Sequence, residues 1–133
     1  MHFLVSAWRM RTYMLNQKFN CGLEASLAVL SGKWKPLVLF HLAHEIHRYG
    51  QLKRAIGKVS DKVLIQQLKE LQQDGVVERT DYGEIPPKVE YSLTGFGESL
   101  ARALAPLCQW GELHTEQIGN IVRNREKPQG EHQ

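Results

Sequence analysis

Chemistry in this sequence could come from a thiol, from a group of histidines, or from a helix face rich in amides and lysines. The chain has two cysteines, Cys21 and Cys108. They are far apart and form no CxxC pair, which argues against a zinc ribbon or a thioredoxin-type dithiol. A thiolate reacts where a thiol does not. Cys21 opens an apolar segment, at the N-terminal end of a helix, where the dipole favours an anion; Glu24, three residues on, works against that. Two readings stand for Cys21: a sensing thiol, or a structural cysteine packed at an interface. Cys108 falls beside an apolar stripe and reads as an inert core or interface residue. His41, His44 and His47 recur at three-residue spacing. His44-Glu-Ile-His47 is one residue short of the H-E-x-x-H pattern that aligns two imidazoles, and no third firm ligand is evident, so no metal is expected.

The amide-rich face lies in Val59–Gly75. Leu64, Leu68 and Leu71 fall at i, i+4, i+7, one stripe of a helix. Ser60 stands where an N-cap belongs and Gly75 where a left-handed position past the C-terminus is wanted. The opposite face holds Asp61, Lys62, Ile65, Gln66, Lys69, Gln72 and Gln73. Gln pairs two-pronged with adenine, Lys with guanine, and Ser with several bases. Seen alone, such a face is an ordinary solvated one; its surroundings give it meaning.

Leu23 to Leu30 reads as a helix ended by Ser31-Gly32. Lys33-Trp34-Lys35-Pro36 begins another, with Pro36 in the first turn. Its apolar residues, Leu37 to Ala43, lie nearly all round, which places it in the core. A turn around His47–Gly50 leads to a short helix, Gln51–Ile56, and then to the Ser60 helix. Short helix, Gly-containing turn and longer helix make a helix-turn-helix pattern. Two alternating β-rich runs follow, Val76–Thr80 and Lys88–Leu93, around a loop punctuated by Gly83, Pro86 and Pro87. A hairpin in that position is a wing. Thr94 caps a last helix carrying Leu100, Ala103, Leu104, Leu107 and Trp110, extended by Leu113 and Ile118. Pro106 interrupts it. Gly95-Phe-Gly97 has Leu100 at the third glycine position and no βαβ unit before it, so it is a strand-to-helix turn rather than a dinucleotide loop.

The fold class expected is α+β, mainly helical: a winged helix-turn-helix with N- and C-terminal dimerisation helices, which the small winged domain leaves over. Residues 1–20 are expected to be an arm, with Met10 and Met14 as alternative starts. Residues 21–120 form the folded domain and 121–133 a disordered tail.

The chain has 133 residues, 42% hydrophobic and 23% charged, with net charge +3. That is an ordinary globular composition, mildly basic. Between Lys33 and Lys62 stand seven basic residues (Lys33, Lys35, Arg48, Lys53, Arg54, Lys58, Lys62) against two acids. From Val63 to Glu90 three basic residues face six acidic ones. Positive charge thus gathers around the start of the Ser60 helix, as expected for an end facing phosphates. No apolar run approaches the roughly 20 residues that span a bilayer, and the N-terminus is too interrupted for a signal peptide. A cytoplasmic protein with reduced thiols is expected. No Ser/His/Asp order, Walker sequence or carboxylate pair supports an enzyme, and no cofactor is implied.

Cys21-x-x-Glu24, Gly32-Lys33-Trp34, Leu52-Lys-Arg-Ala-Ile56, Ser60-x-Lys-Val-Leu64, Leu68-Lys-Glu-Leu71, Asp74-Gly-Val-Val-Glu-Arg79, Pro86-Pro-Lys-Val-Glu-Tyr91 and Leu93-Thr-x-x-Gly97 together resemble the HxlR-type winged-helix transcriptional regulators, relatives of the MarR group. The resemblance runs from about Cys21 to Gly111. It implies a homodimeric regulator on a palindromic DNA operator, with the recognition helix over Ser60–Asp74 and the wing over Arg79–Tyr91. It also implies a thiol sensor of oxidants or electrophiles at Cys21. Two departures bear on this: Gly22 stands where Pro is usual, and Ile65 and Gln67 stand where a small hydroxylated and a basic residue are common. Ser60, Lys62, Ile65, Gln66 and Gln67 are expected at base edges or in the groove, with Lys69 on the same helix near phosphate. Lys33, Lys53, Arg54, Arg79, Tyr82 and Lys88 are expected at the backbone and in the wing. The competing reading is a winged-helix protein-interaction module that never touches DNA.

Overall fold

The computed structural model describes residues 19–45 and 47–128. The expected N-terminal arm lies, as far as residue 18, outside the described residues. The order is α1 (Gly22–Leu30), α2 (Trp34–His44), β1 (His47–Arg48), α3 (Tyr49–Ile56), α4 (Asp61–Gln73), β2 (Val77–Asp81), β3 (Val89–Leu93), α5 (Gly95–Leu113) and α6 (Thr115–Glu126). The three strands form one antiparallel sheet in the order β1-β3-β2. This is a mainly helical winged helix-turn-helix: α3 and α4 are the helix pair, and β2–β3 the wing.

The core gathers around α2. Val38, Leu39 and Leu42 from this helix meet Leu52 of α3, Leu64, Leu68 and Leu71 of α4, and Val76 and Val77 at the start of the wing, all buried. Local chemistry sets the ends of α4. Ser60 Oγ accepts from the Val63 N–H at 3.2 Å, satisfying one orphan donor of the first turn. At the other end Gly75 takes φ 73°. There the Val76 N–H reaches Leu71 O at 2.9 Å and the Gly75 N–H reaches Gln72 O at 3.1 Å. These paired bonds close the helix on a left-handed residue, which glycine adopts without steric cost.

The same corner anchors α5. Thr94 Oγ1 donates to Gly75 O at 2.6 Å and accepts from the Gly97 N–H at 3.0 Å. Gly97 is buried so closely that an added Cβ would fall 2.1 Å from Val76 O. The beginning of α5 is thus fixed to the end of α4.

Three features differ from the sequence expectation. Residues His47 and Arg48 form a strand rather than a turn, because they pair with Tyr91 and Glu90 of β3. The short helix starts at Tyr49, and Gln51 Oε1 accepts from the Arg48 N–H at 3.0 Å to cap it. The last helix breaks at His114 (φ −123°, ψ 26°) and resumes as α6 to Glu126, so residues 121–126, assigned to the tail, are helical. Ile118, Ile121 and Val122 give α6 an apolar stripe at i, i+3, i+4. Arg123 and Arg125 in its last turn complement the dipole.

Candidate nucleic-acid interface

With its leucines inward, α4 turns Asp61, Lys62, Ile65, Gln66, Lys69 and Gln73 to solvent. Ile65 is 44% exposed, a high value for a branched apolar side chain on a helix that buries its three leucines. Gln67 is half-buried at the edge of this face. Ser60 has its hydroxyl engaged in the cap.

Between α4 and the wing lies an open cleft of about 520 Å³ lined by Tyr49, Ile65, Lys69, Gln72, Arg79 and Tyr91. Three expected residues meet there: Ile65, Lys69 and Arg79. The sequence reading puts Gln72 on the polar face but not among the contact residues, and gives Tyr49 and Tyr91 no contact role. Arg79 and Tyr91 face each other across the β2–β3 ladder, a pairing the alternating strands could have indicated. Tyr49 sits in what reads as a turn, and only the tertiary fold brings it to the cleft.

At the wing tip Lys88 Nζ stands 4.5 Å from the centre of the Tyr82 ring, a cation–π arrangement that holds the ammonium against the ring. The Tyr82 hydroxyl is pushed up in pKa, first by its hydrogen bond to Glu90. Gly83 (φ 65°) makes the turn, with its N–H on Asp81 Oδ1 at 2.9 Å.

The remaining basic residues divide. Arg54 is exposed on the last turn of α3. Lys33 stands at the N-cap of α2, 4.4 Å over the Trp34 ring. Lys53 is paired, its Nζ 2.9 Å from Asp61 Oδ1. Asp61 also accepts from the Tyr49 hydroxyl. The hydrogen bonds from Tyr49 and Lys53 hold the Asp61 carboxyl below its ordinary range, and burial with the Asp61 contact pushes Tyr49 up to about 12. Lys35, counted among the charges near phosphate, is instead buried, its Nζ 3.1 Å from Ser31 Oγ and 3.3 Å from Glu70 Oε1. It joins α2 to α4 and contributes no surface charge. Gln66 Nε2 reaches Glu70 Oε2 at 3.4 Å, so the outward amide is connected through half-exposed Glu70 to the buried lysine.

Cys21 is the N-cap residue of α1, half-buried and a free thiol, as is the half-buried Cys108. Glu24 near Cys21 is engaged, accepting from the Asn20 N–H at 2.9 Å. Cys108 is pushed up in pKa, first by burial and then by Glu112. No described helix is long and apolar enough to cross a membrane.

A helix pair with an outward polar face, a wing beside it and cations on both define a winged helix-turn-helix protein. The family follows from the chain itself: residues 29–119 match the family model described as HxlR-like helix-turn-helix. The chain belongs to this family of transcriptional regulators. It is 50% identical over 101 residues to the uncharacterised HTH-type transcriptional regulator YkvN of Bacillus subtilis, covering 76% of this chain and 86% of that one. Among solved structures it resembles a MarR-family transcriptional regulator from Porphyromonas gingivalis W83, at TM-score 0.67 and 38% identity, over 73% of this chain and 95% of that one. It also resembles the redox regulator HypR in its oxidised form, at TM-score 0.65 and 39% identity, over 69% of this chain and 95% of that one.

Proposed function

We propose that the chain is a homodimeric, sequence-specific DNA-binding regulator whose affinity responds to oxidants or electrophiles through Cys21. The observation that carries the DNA reading is the orientation of α4. Its leucines are spent on the core, so Lys62, Ile65, Gln66 and Lys69 are left outward beside the wing cations Arg79 and Lys88. In a major groove the N-terminal residues of α4 meet base edges, while Arg54, Arg79 and Lys88 meet phosphates. Two copies place their helices on half-sites ~34 Å apart or a multiple of it, on a palindromic operator.

The dimer reading is supported by unpartnered apolar surface. Leu23 and Leu27 of α1, Leu107, Trp110 and Leu113 of α5, and Ile121 and Val122 of α6 are exposed. A groove of about 1130 Å³ between α2 and α5 is lined by Leu37, Phe40, Leu104, Leu107 and Cys108 among others. Exposed leucines and a tryptophan in this number on terminal helices mark an interaction surface, and a second copy offers the same stripe in return. The redox reading is supported by Cys21, a free thiol at the N-cap position of a helix of this surface, and by the likeness to a protein described as a redox regulator. A cytoplasmic location accords with this reading.

The test is selection from random duplexes, with bound fractions measured across salt and with and without a thiol oxidant. A palindromic sequence should emerge, with a salt slope of several units, and Lys62→Ala should lower that slope by about one if the lysine meets a phosphate. The oxidant effect should vanish in Cys21→Ser. A folded dimer that enriches no sequence would remove the DNA reading, and an oxidant effect surviving in Cys21→Ser would remove the sensor.

A further inference from the structure

The helix-turn-helix carries a carboxylate where an approaching duplex brings phosphates and base edges. Asp61 is the first residue of α4 and is exposed. It heads the stripe that continues at i+4 and i+8 with Ile65 and Lys69, which line the cleft. Its Oδ1 accepts from the Tyr49 hydroxyl and lies 2.9 Å from Lys53 Nζ. Both partners belong to α3, so the neighbouring helix fixes a side chain that would otherwise sample its rotamers. Both also use the same oxygen. Among the described residues, no hydrogen bond or ion pair engages Oδ2.

An ionised carboxylate only accepts hydrogen bonds. Beside phosphates it is repelled, so its presence in a groove is favourable only where a base offers it a donor. In the major groove cytosine offers an exocyclic amino donor with no acceptor of its own beside it; adenine sets its N6 amino group next to the N7 acceptor, which repels a carboxylate, and guanine and thymine present acceptors there. Resting on the DNA-binding reading above, we propose that Asp61 is a specificity-determining residue. Its Oδ2 accepts from the N4 amino group of a cytosine at one base pair of each half-site. Tyr49 and Lys53 are positioning residues that aim the carboxylate and reduce its repulsion toward the phosphates. Guanine or thymine in its place leaves the carboxylate facing an acceptor, and adenine offers its amino group only beside the repelling N7.

The full chain and its Asp61→Ala, Asp61→Asn and Tyr49→Phe variants are each checked for helix content and oligomeric state. They are then put through selection from random duplexes, and operators carrying each of the four bases at every position are titrated at one salt concentration. The wild type should prefer cytosine at one position per half-site. Asp61→Ala should lose that preference by about 5- to 150-fold in discrimination while all other positions keep theirs. Asp61→Asn should move the preference at the same position toward adenine, which an amide matches two-pronged. Tyr49→Phe keeps the ring and removes the O–H; it should weaken the same preference and no other. An Asp61→Ala protein that binds every duplex more tightly with its motif unchanged overturns the proposal, because the carboxylate would then act only as a brace and a repulsive charge. Unchanged discrimination in Tyr49→Phe overturns the positioning role. A wild type that enriches no sequence brings down the DNA reading and this inference together. A wild-type motif retained by both Asp61 variants brings down this inference alone.

Discussion

Helices α4 and α5 both carry leucines at helical spacing, yet they end in opposite states. On α4, Leu64, Leu68 and Leu71 are 0%, 1% and 0% exposed. On α5, Leu107, Trp110 and Leu113 are 64%, 54% and 80% exposed. The first stripe closes against α2 and its neighbours. The second does so only over its first turns, where Leu100, Ala101 and Leu104 pack against the core. Amphipathic spacing therefore identifies which face must be covered but not what covers it. For α4 the chain supplies the cover; for α5 beyond Leu104, and for α6, a second copy is the cover in the proposed dimer. The two regions meet at one corner, where Thr94 and Gly97 bind α5 to the end of α4.

Truncating one leucine from each stripe gives the largest expected contrast. Leu68→Ala should cost about 2–5 kcal/mol, since its cavity opens in a packed interior. Leu107→Ala should cost the isolated chain less than about 0.5 kcal/mol, as exposed substitutions do. Denaturant unfolding at low and high protein concentration checks both. The Leu107→Ala protein should instead show its loss as a smaller gain in stability from low to high concentration. Equal costs at low concentration would mean that the two stripes are not in different states.

The corner comes next in size. In Gly97→Ala the new methyl carbon meets a backbone carbonyl, which cannot rotate away as a side chain would, so α5 must shift from the end of α4. About 1–3 kcal/mol of destabilisation is expected, read as a lower Tm. Because α5 carries the surface assigned to the proposed dimer, self-association should weaken in parallel. A lower Tm with unchanged self-association would show that α5 can slide at its anchor without disturbing the face it presents.

What the sequence made legible is what depends on near neighbours. Ser60, Gly75 and the leucine spacing delimit α4 by local rules alone. The wing follows from alternation around Gly83, Pro86 and Pro87, and Thr94 reads as a cap. Interactions between distant residues were not legible. A lysine ordinarily signals surface, and nothing near Lys35 announces that it will be buried beneath Glu70 of another helix. The strand at His47 and Arg48 exists only because β3 lies beside it. Tyr49 enters the cleft, and reaches Asp61, only once α3 and α4 are packed. The extent of α6 was hidden by composition: its polar, arginine-bearing end resembles a tail, and the stripe through Ile121 and Val122 is short.

The smallest effect concerns the helix that both regions share. His41, on α2, has its pKa lowered from 6.5 first by burial and then by His47 and His44. The folded state therefore binds a proton less readily than the unfolded one. Its contribution to stability is complete above about pH 6.5 and is lost as pH falls toward the folded value, because the unfolded chain takes up the proton first. Stability should decline on acidification in this window, and His41→Gln should flatten that part of the curve. Trp34, packed against the core, and Trp110, exposed on α5, report the two regions by fluorescence; replacing one tryptophan at a time, with Trp8 also replaced, separates the signals. Since α2 packs against both α4 and α5, both signals should move together with pH. An acid-sensitive Trp34 signal beside a flat Trp110 signal would show that the helix-turn-helix can loosen while α5 holds, and the anchor at Gly97 would then be the hinge between two separately stable units.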